Sequence, residues 1–243
     1  MDNLNYLNGR QSFGSAAAAQ AQASMASYIA RTMQRVFGKM CLGLLVTAFV
    51  SLGIASSPSF VEAVFSSKAL FWGLLIAQFG VVIWLSAGIN KMSAGTASLL
   101  FYLYSALTGV TLTPIFFVYT GDSIVKTFFI TAGTFGAMAA YGYVTKRDLS
   151  KLGSILMMAL LGLIVVSVVN MFMHSGTLSW IISGVGVLIF VGITAWDVQQ
   201  IKQMAMETSE QNVGKLAAIG ALNLYLDFIN LFLYLLRFFG DRD

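Results

Sequence analysis

The sequence predicts an all-α membrane protein, a seven-transmembrane-helix bundle, and three observations predict it. First, 58% of the 243 residues are apolar and only 10% are charged, against roughly 45–50% and about 25% in soluble domains. Second, the chain contains seven runs of the roughly 20 mostly apolar residues that a helix needs to cross a bilayer core of about 30 Å. Third, lysine and arginine collect in alternate connections between these runs.

Each predicted span is set by one apolar run. In chain order the spans are 36–57, 69–90, 97–119, 124–145, 152–174, 177–198 and 217–239. Pro114 removes a backbone donor from the third span and predicts a kink there. Gly133 and Ala137, one helical turn apart in the fourth span, are predicted to mark a face where helices pack closely.

The chain is predicted to divide into two regions. Residues 1–35 are expected to form a mobile cytoplasmic tail or a loose helix, because the stretch SAAAAQAQASMAS has too few large apolar residues to bury a core. The same composition argues against a cleavable signal peptide. Residues 36–243 are predicted to form a single transmembrane domain.

The distribution of basic residues predicts a cytoplasmic N-terminus and an outer C-terminus, because short basic loops stay on the cytoplasmic side. Ten basic residues fall in the predicted inner segments: Arg10, Arg31, Arg35, Lys39, Lys91, Lys146, Arg147, Lys151, Lys202 and Lys215. The outer segments hold Lys68, Lys126, Arg237 and Arg242. Since the net charge of +4 is divided among loops without a continuous basic face, nucleic-acid binding is excluded.

Sites for common enzyme chemistry are not predicted. His174 is the only histidine, which excludes a histidine metal cluster. Cys41 is the only cysteine and is expected to be a small buried hydrophobic residue. Because no phosphate loop, nucleophile elbow or dinucleotide motif occurs, neither an enzyme nor a bound cofactor is expected.

The most informative residue is Asp227, in the middle of the seventh span. A charged side chain at bilayer depth costs at least about 2.5–3.5 kcal/mol, so such residues are kept mainly where they pair or function. Asn223, Asp227 and Asn230 follow each other at helical spacing and form one polar stripe. This stripe is predicted to face the interior of the bundle.

Asp197, near the inner end of the sixth span, is the predicted partner of Asp227, although Asp227 is expected to lie several residues deeper. Two carboxyl groups in contact in a medium of low dielectric constant cannot both ionise and would share a proton. If the two aspartates do not pair, each has an alternative interpretation. Asp197 would be a carboxylate at the membrane interface beside Lys202. Asp227 would be a single protonated acid that is hydrogen-bonded to an asparagine or a tyrosine.

A second polar stripe lies on the third span, where Ser105, Thr108 and Thr111 occur at helical spacing. Two arrangements are predicted for these hydroxyl groups. They line a hydrated cavity that forms part of a pore, or they donate hydrogen bonds to backbone carbonyl groups of their own helix.

Four segments carry a resemblance to a known family: SALTGVTLTPIF, TAGTFGAMAAYGYVTKRDLSKLG, FVGITAWDVQQIK and LYLDFINLFLYLLRFFG. They resemble the transmembrane Bax inhibitor-1 motif family, specifically its bacterial inner-membrane members. That resemblance implies a fold with the seventh helix in the centre and a pH-sensitive calcium leak governed by a pair of aspartates.

The resemblance also implies roles for individual residues. The two sensor aspartates correspond to Asp197 and Asp227, and a basic latch residue, arginine in the family, corresponds to Lys91. Lysine cannot form the bidentate contacts of arginine. Some members carry an acidic residue within the second span, where this chain has only Gln78 as a polar residue of similar size.

The sequence-based hypothesis is therefore a calcium or cation leak channel that is closed while the aspartate pair holds one proton near Lys91. Asp197 and Asp227 would form a weak, transient calcium site. The expected partners of the protein are calcium ions, protons and the lipid bilayer. Three alternatives are a cation/proton exchanger, a regulatory protein that modulates or is a client of a membrane-bound protease, and an intramembrane aspartyl protease. The last is disfavoured because YLDF lacks the glycine-bearing motif of those enzymes.

Overall fold

The structure is a computed structural model that describes residues 2–241, with side chains from residue 19 onward. Arg242, which contributes to the predicted topology, lies outside the described residues, as does the side chain of Arg10. The helices are α1 (Asp2–Ala55), α2 (Pro58–Phe65), α3 (Lys68–Gly88), α4 (Ala94–Leu112), α5 (Ile115–Val118), α6 (Gly121–Val144), α7 (Ser150–Met173), α8 (Gly176–Glu207) and α9 (Val213–Phe239). Within the described chain, seven helical segments are long and apolar enough to cross a membrane, which confirms the predicted bundle.

Helix α9 is the centre of the bundle. It packs against α1, α4, α6 and α8. In its most apolar stretch 72% of the residues are buried, whereas in the segment that contains α3 the share is 6%. This confirms the seventh predicted span as the central helix.

One end of the bundle gathers the connections from α3 to α4, from α6 to α7 and from α8 to α9. Lys215 donates from Nζ to the carbonyl oxygen of Asn90 at 3.1 Å. The Tyr28 hydroxyl donates to the carbonyl oxygen of Thr208 at 2.6 Å, which brings α1 to the same end. We call this the basic end, since Lys91, Lys146 and Arg147 lie in these connections and Lys151, Lys202 and Lys215 lie on the helices beside them. The side of the membrane that it faces stays a prediction.

Helix α1 shows no break at the predicted boundary of the tail, residue 35. It is continuous, and it is packed into the bundle well before residue 36, because Ile29 and Met33 are buried in the core. Residues 19–27 on the same helix are exposed. The expectation for Cys41 was wrong: this residue is exposed on the outer face of α1.

Close helix packing on α6 occurs at a different glycine from the one predicted. Gly133 has no atom within 4 Å of where a Cβ would lie, and both Gly133 and Ala137 are exposed. Gly142 is buried instead, and a Cβ there would overlap the backbone carbonyl oxygen of Ala195 on α8. The small residue that allows two helices to approach is therefore two turns nearer the basic end.

Pro114 ends a helix rather than kinking one. Helix α4 stops at Leu112, and the chain turns through Thr113 and Pro114 into the short helix α5. Proline has no amide hydrogen to continue the helical hydrogen bonds, which explains the stop.

Candidate functional site

Two aspartates from neighbouring helices lie side by side within the bundle. The carboxyl groups of Asp197 on α8 and Asp227 on α9 lie within hydrogen-bonding distance of each other. Asp227 is only 4% exposed, and Asp197 is partly exposed. The structure thus brings together the two residues to which the family resemblance assigns the sensor role.

The contact between the two carboxyl groups requires a proton. An ionised carboxylate only accepts hydrogen bonds, so one of the two groups must be protonated and donate to the other. Asp227 Oδ2 is buried and accepts no hydrogen bond from an amide or hydroxyl group of the described residues. A buried oxygen without a donor strongly disfavours a full negative charge. The arrangement can therefore hold one shared proton.

The two aspartates meet because α8 is longer than predicted. It continues through Asp197 to Glu207 instead of ending near residue 198. Gln199 helps to hold this extension against the turn between α6 and α7: Nε2 donates to the carbonyl oxygen of Arg147 at 2.8 Å, and Oε1 accepts from the amide of Leu149 at 2.9 Å. Asp197 consequently lies within the helix and not at its end, at the depth of Asp227.

A tyrosine that the sequence did not single out anchors α9 near the site. Tyr225 is completely buried, and its hydroxyl lies 2.6 Å from the Thr47 hydroxyl on α1. Thr47 in turn lies 2.8 Å from the carbonyl oxygen of Ser105 on α4. The Tyr225 ring also packs edge-on against Phe101 and Tyr104, with centroids 5.6 and 5.9 Å apart. A tyrosine two residues before Asp227 in an apolar helix was the available signal in the sequence.

The polar stripe on α4 makes hydrogen bonds within its own helix, the second of the two predicted alternatives. Ser105 donates to Phe101, and Thr108 donates to Tyr104, at 3.0 and 2.9 Å. Thr111 donates to the carbonyl oxygen of Thr108 at 3.0 Å. Ser105 and Thr108 are buried, so their hydroxyl groups do not line an open aqueous path in this conformation.

The side chain of Gln78 connects α3 with α4. Its Nε2 donates to the carbonyl oxygen of Leu107 and to the Thr111 hydroxyl, both at 2.9 Å. The polar residue of the second predicted span thus binds α4 and does not reach the aspartates.

The two asparagines of the α9 stripe are half-buried. Asn230 donates from Nδ2 to the carbonyl oxygen of Leu226 on its own helix at 2.8 Å. The Asn223 side chain has no hydrogen bond within the described part of the chain. Neither residue is hydrogen-bonded to Asp227.

The structure does not bring Lys91 to the aspartates. Lys91 lies in the one-turn helix Ile89–Lys91 that follows α3, and its side chain is exposed. Among residues 19–241, the side chain of Lys91 forms no ion pair with either aspartate. The latch implied by the resemblance is therefore not engaged in this conformation.

Asp148 lies in the turn that Gln199 holds, two residues before the start of α7. The Ser150 amide donates to Asp148 Oδ1 at 2.9 Å. The hydroxyl and the amide of Ser150 together hold the pKa of this exposed carboxyl below its ordinary value of 3.8. Asp148 is therefore ionised at neutral pH and accepts a hydrogen bond from the first amide of α7.

The aspartate pair does not form a closed metal site. In the described part of the chain, no three histidine, cysteine or acidic side chains converge on a common point. Two carboxyl groups offer at most four oxygen atoms, fewer than the six to eight that calcium takes in storage sites. The two carboxyl groups alone therefore do not complete the coordination shell of a calcium ion.

Comparisons with known proteins agree on one family. The sequence profile of the family described as "Inhibitor of apoptosis-promoting Bax1" matches residues 29–243. The inner membrane protein YbhL of Escherichia coli K12 is 50% identical over 226 residues, which cover 92% of this chain and 95% of that one. An uncharacterized protein of Borreliella burgdorferi is 49% identical over 212 residues, 86% of this chain and 91% of its own length. The uncharacterized protein RP147 of Rickettsia prowazekii is 42% identical over 215 residues, covering 87% and 90%.

Proposed function

This chain belongs to the Bax inhibitor-1 family as a multi-pass inner membrane protein, and on that premise we propose that it is a pH-sensitive calcium or cation leak channel. The gate is the proton shared by Asp197 and Asp227. The single observation that carries the proposal is the direct contact of these two carboxyl groups inside the bundle.

The proposed switch follows from electrostatics. While one proton is shared, the hydrogen bond joins α8 to α9. When both groups ionise, two negative charges about 4 Å apart repel each other by about 4 kcal/mol at an effective dielectric constant of about 20. That repulsion replaces an attraction, so loss of the proton favours separation of the two helices and opens the path. The leak should therefore increase as the pH rises.

Calcium enters the proposal as the transported ion. The ionised pair provides carboxylate oxygens, which calcium prefers, and water completes its coordination shell. Weak binding is what conduction requires, because an ion held too tightly would not leave.

The test is calcium flux into vesicles that contain the purified protein and a trapped calcium indicator, measured from about pH 5 to 8. Asp227→Asn and Asp197→Asn replace each carboxyl with an uncharged group of the same shape, and we expect both to flatten the dependence of flux on pH. Asp122→Asn is the matched control, since Asp122 is 74% exposed and pairs with Lys126 at the opposite end of the bundle. Unchanged pH dependence in both pair variants would remove the sensor.

The same vesicles separate a channel from a cation/proton exchanger. With the membrane potential held at zero, a pH gradient drives calcium uphill through an exchanger but not through a channel. Comparing calcium with potassium in this assay also identifies the preferred ion.

A regulatory role through the N-terminal part of α1 is a second candidate, favoured by the exposure of residues 19–27 on a helix that otherwise packs in the bundle. The partner would be a membrane-bound protease. Deletion of residues 2–24 leaves the packed residues Tyr28 and Ile29 in place. The leak should survive this deletion, whereas co-purification with the protease should not.

The proposed orientation has the basic end in the cytoplasm. A reporter fused after residue 243 and active only outside the inner membrane should then give a signal, and a signal from a cytoplasmic reporter there would reverse the topology.

A further inference from the structure

A deep apolar groove separates α1 from α6. Both helices pack against α9, and the space between them forms an inner chamber of about 750 Å³ towards the basic end. A second chamber of about 350 Å³ continues the groove towards the other end. Leu44, Phe128 and Phe228 line both chambers and form the narrow point between them.

The groove is a gap between helices and not a flat surface. Its deep residues Met33, Met40 and Phe228 are each at most 4% exposed, although the groove opens sideways past Cys41 and Gly136, which are exposed. Along α1 it runs from Ala30 to Leu52, a length of roughly 33 Å at 1.5 Å per residue. It therefore follows most of a membrane span and opens to the lipid.

The groove opens to the hydrocarbon core of the bilayer along its whole length, and its lining is almost entirely apolar. A single hydrocarbon chain, no wider than an aliphatic side chain, matches a long narrow groove with an apolar lining. The bilayer supplies such chains directly at the opening.

The basic end of the groove favours a negatively charged headgroup. Tyr143 lines the groove there, and Lys202 donates from Nζ to the Tyr143 carbonyl oxygen at 2.7 Å while lying 4.9 Å from the centre of its ring. An ammonium group has three donors, so Lys202 keeps donors for a phosphate oxygen. Lys146 and Arg147 follow on the exposed turn, and together with Lys202 they outweigh the single negative charge of the neighbouring Asp148.

We propose that the groove between α1 and α6 is a binding site for one phospholipid with a negatively charged headgroup, with an acyl chain in the inner chamber and the phosphate at Lys202. Basic pockets between membrane helices bind the headgroups of such lipids. The bound chain lies against Phe228, the residue next to Asp227. This site is independent of the proposed leak, and its test measures lipid retention.

The experiment uses the full-length protein, stripped of lipid in detergent and titrated with phosphatidylglycerol or phosphatidylcholine, with bound lipids counted by native mass spectrometry. We expect one retained lipid and a preference for phosphatidylglycerol. Gly136→Leu places a side chain in the inner chamber without overlap, because no atom lies within 4 Å of a Cβ there, and it should abolish retention. Gly133→Leu is the matched control on the same helix, since it is equally open but outside the groove.

Two further variants separate the parts of the site. Lys202→Gln should reduce the preference for phosphatidylglycerol by roughly tenfold, as expected for the loss of a charge-assisted hydrogen bond, and still bind a chain. Ala140→Leu fills the same chamber from a different position and should repeat the effect of Gly136→Leu.

Equal retention by the Gly136→Leu and Gly133→Leu variants would overturn the proposal, and equal affinity for the two lipids would overturn the headgroup assignment. A second copy of the chain in the groove would instead bring the single cysteine, Cys41, near that of its partner. Dimers formed by oxidation of Cys41 and lost in Gly136→Leu would therefore also refute the lipid site.

Discussion

Replacing Gly142 with alanine tests how closely α6 and α8 must approach to hold Asp197. The added methyl group would overlap the carbonyl oxygen of Ala195 and lie 2.9 Å from the Ala195 Cα. Ordinary carbon contacts are about 3.5–4.0 Å, and a backbone atom cannot rotate away as a side chain can. The two helices must therefore move apart by several tenths of an ångström.

The magnitude follows from comparison with Gly133→Ala on the same helix, where the methyl group meets no atom within 4 Å. Both substitutions gain the same helix propensity, up to about 1 kcal/mol, so this term cancels in the difference. The remaining term is the overlap at Gly142, which is about 1–3 kcal/mol for an overpacked interior. We expect the Gly133→Ala variant to be as stable as the wild type or more stable. The Gly142→Ala variant should be less stable than the Gly133→Ala variant by about 1–3 kcal/mol.

The assay is unfolding of the purified protein in mixed micelles by titration with sodium dodecyl sulfate, followed by circular dichroism. Gly142→Ala should unfold at a lower fraction of dodecyl sulfate than Gly133→Ala. Coincident unfolding curves would refute the reasoning, because they would mean that α6 and α8 do not meet at Gly142.

Two other predictions concern buried hydroxyl groups and the start of α7. Thr47→Val should destabilise the protein by about 0.5–1.5 kcal/mol in the same unfolding assay, because it removes one hydrogen-bond partner of the buried Tyr225 hydroxyl and leaves only the Ser105 and Thr108 hydroxyls beside it. Ser51→Ala should be neutral or stabilising, since the buried Ser51 hydroxyl has no hydrogen-bond partner in the described chain; the opposite ranking would contradict the assigned contacts. The pKa of Asp148 is lowered from 3.8 by Ser150, so its contribution to stability is present above pH 3.8 and is lost as the pH falls through the lower folded value. The stability difference between wild type and Asp148→Asn should therefore shrink below pH 3.8, and a difference that grows on acidification would be inconsistent with the hydrogen bonds from Ser150 to Asp148.

Some features of the site were predictable because they depend on one residue type in one environment. A carboxyl group in the middle of an apolar helix, such as Asp227, has to face the protein interior, whatever its partner. The spacing of Asn223 and Asp227 on one helical face is equally local. Tyr225 was missed because a tyrosine in an apolar helix is common, and only the position of Thr47 on a distant helix shows that its hydroxyl is bound.

Other features needed the arrangement of helices around α9. The depth of Asp197 depended on how far α8 continues, and that continuation involves Gln199 and the turn that precedes α7. Lys91 could be aligned with a latch by counting residues, yet its distance from the aspartates is a property of the packed bundle.

The sequence by itself determined that this chain crosses a membrane seven times and buries an acidic residue in its last span, because hydrophobic length and charge are properties of each segment alone. Only the tertiary structure decided that Gly142 and not Gly133 lets α6 approach α8, that Asp197 and Asp227 touch, and that a groove remains between α1 and α6. The physical reason is that these features depend on the rotation, tilt and separation of neighbouring helices. Residues far apart in the chain set those quantities together, and no single segment contains them.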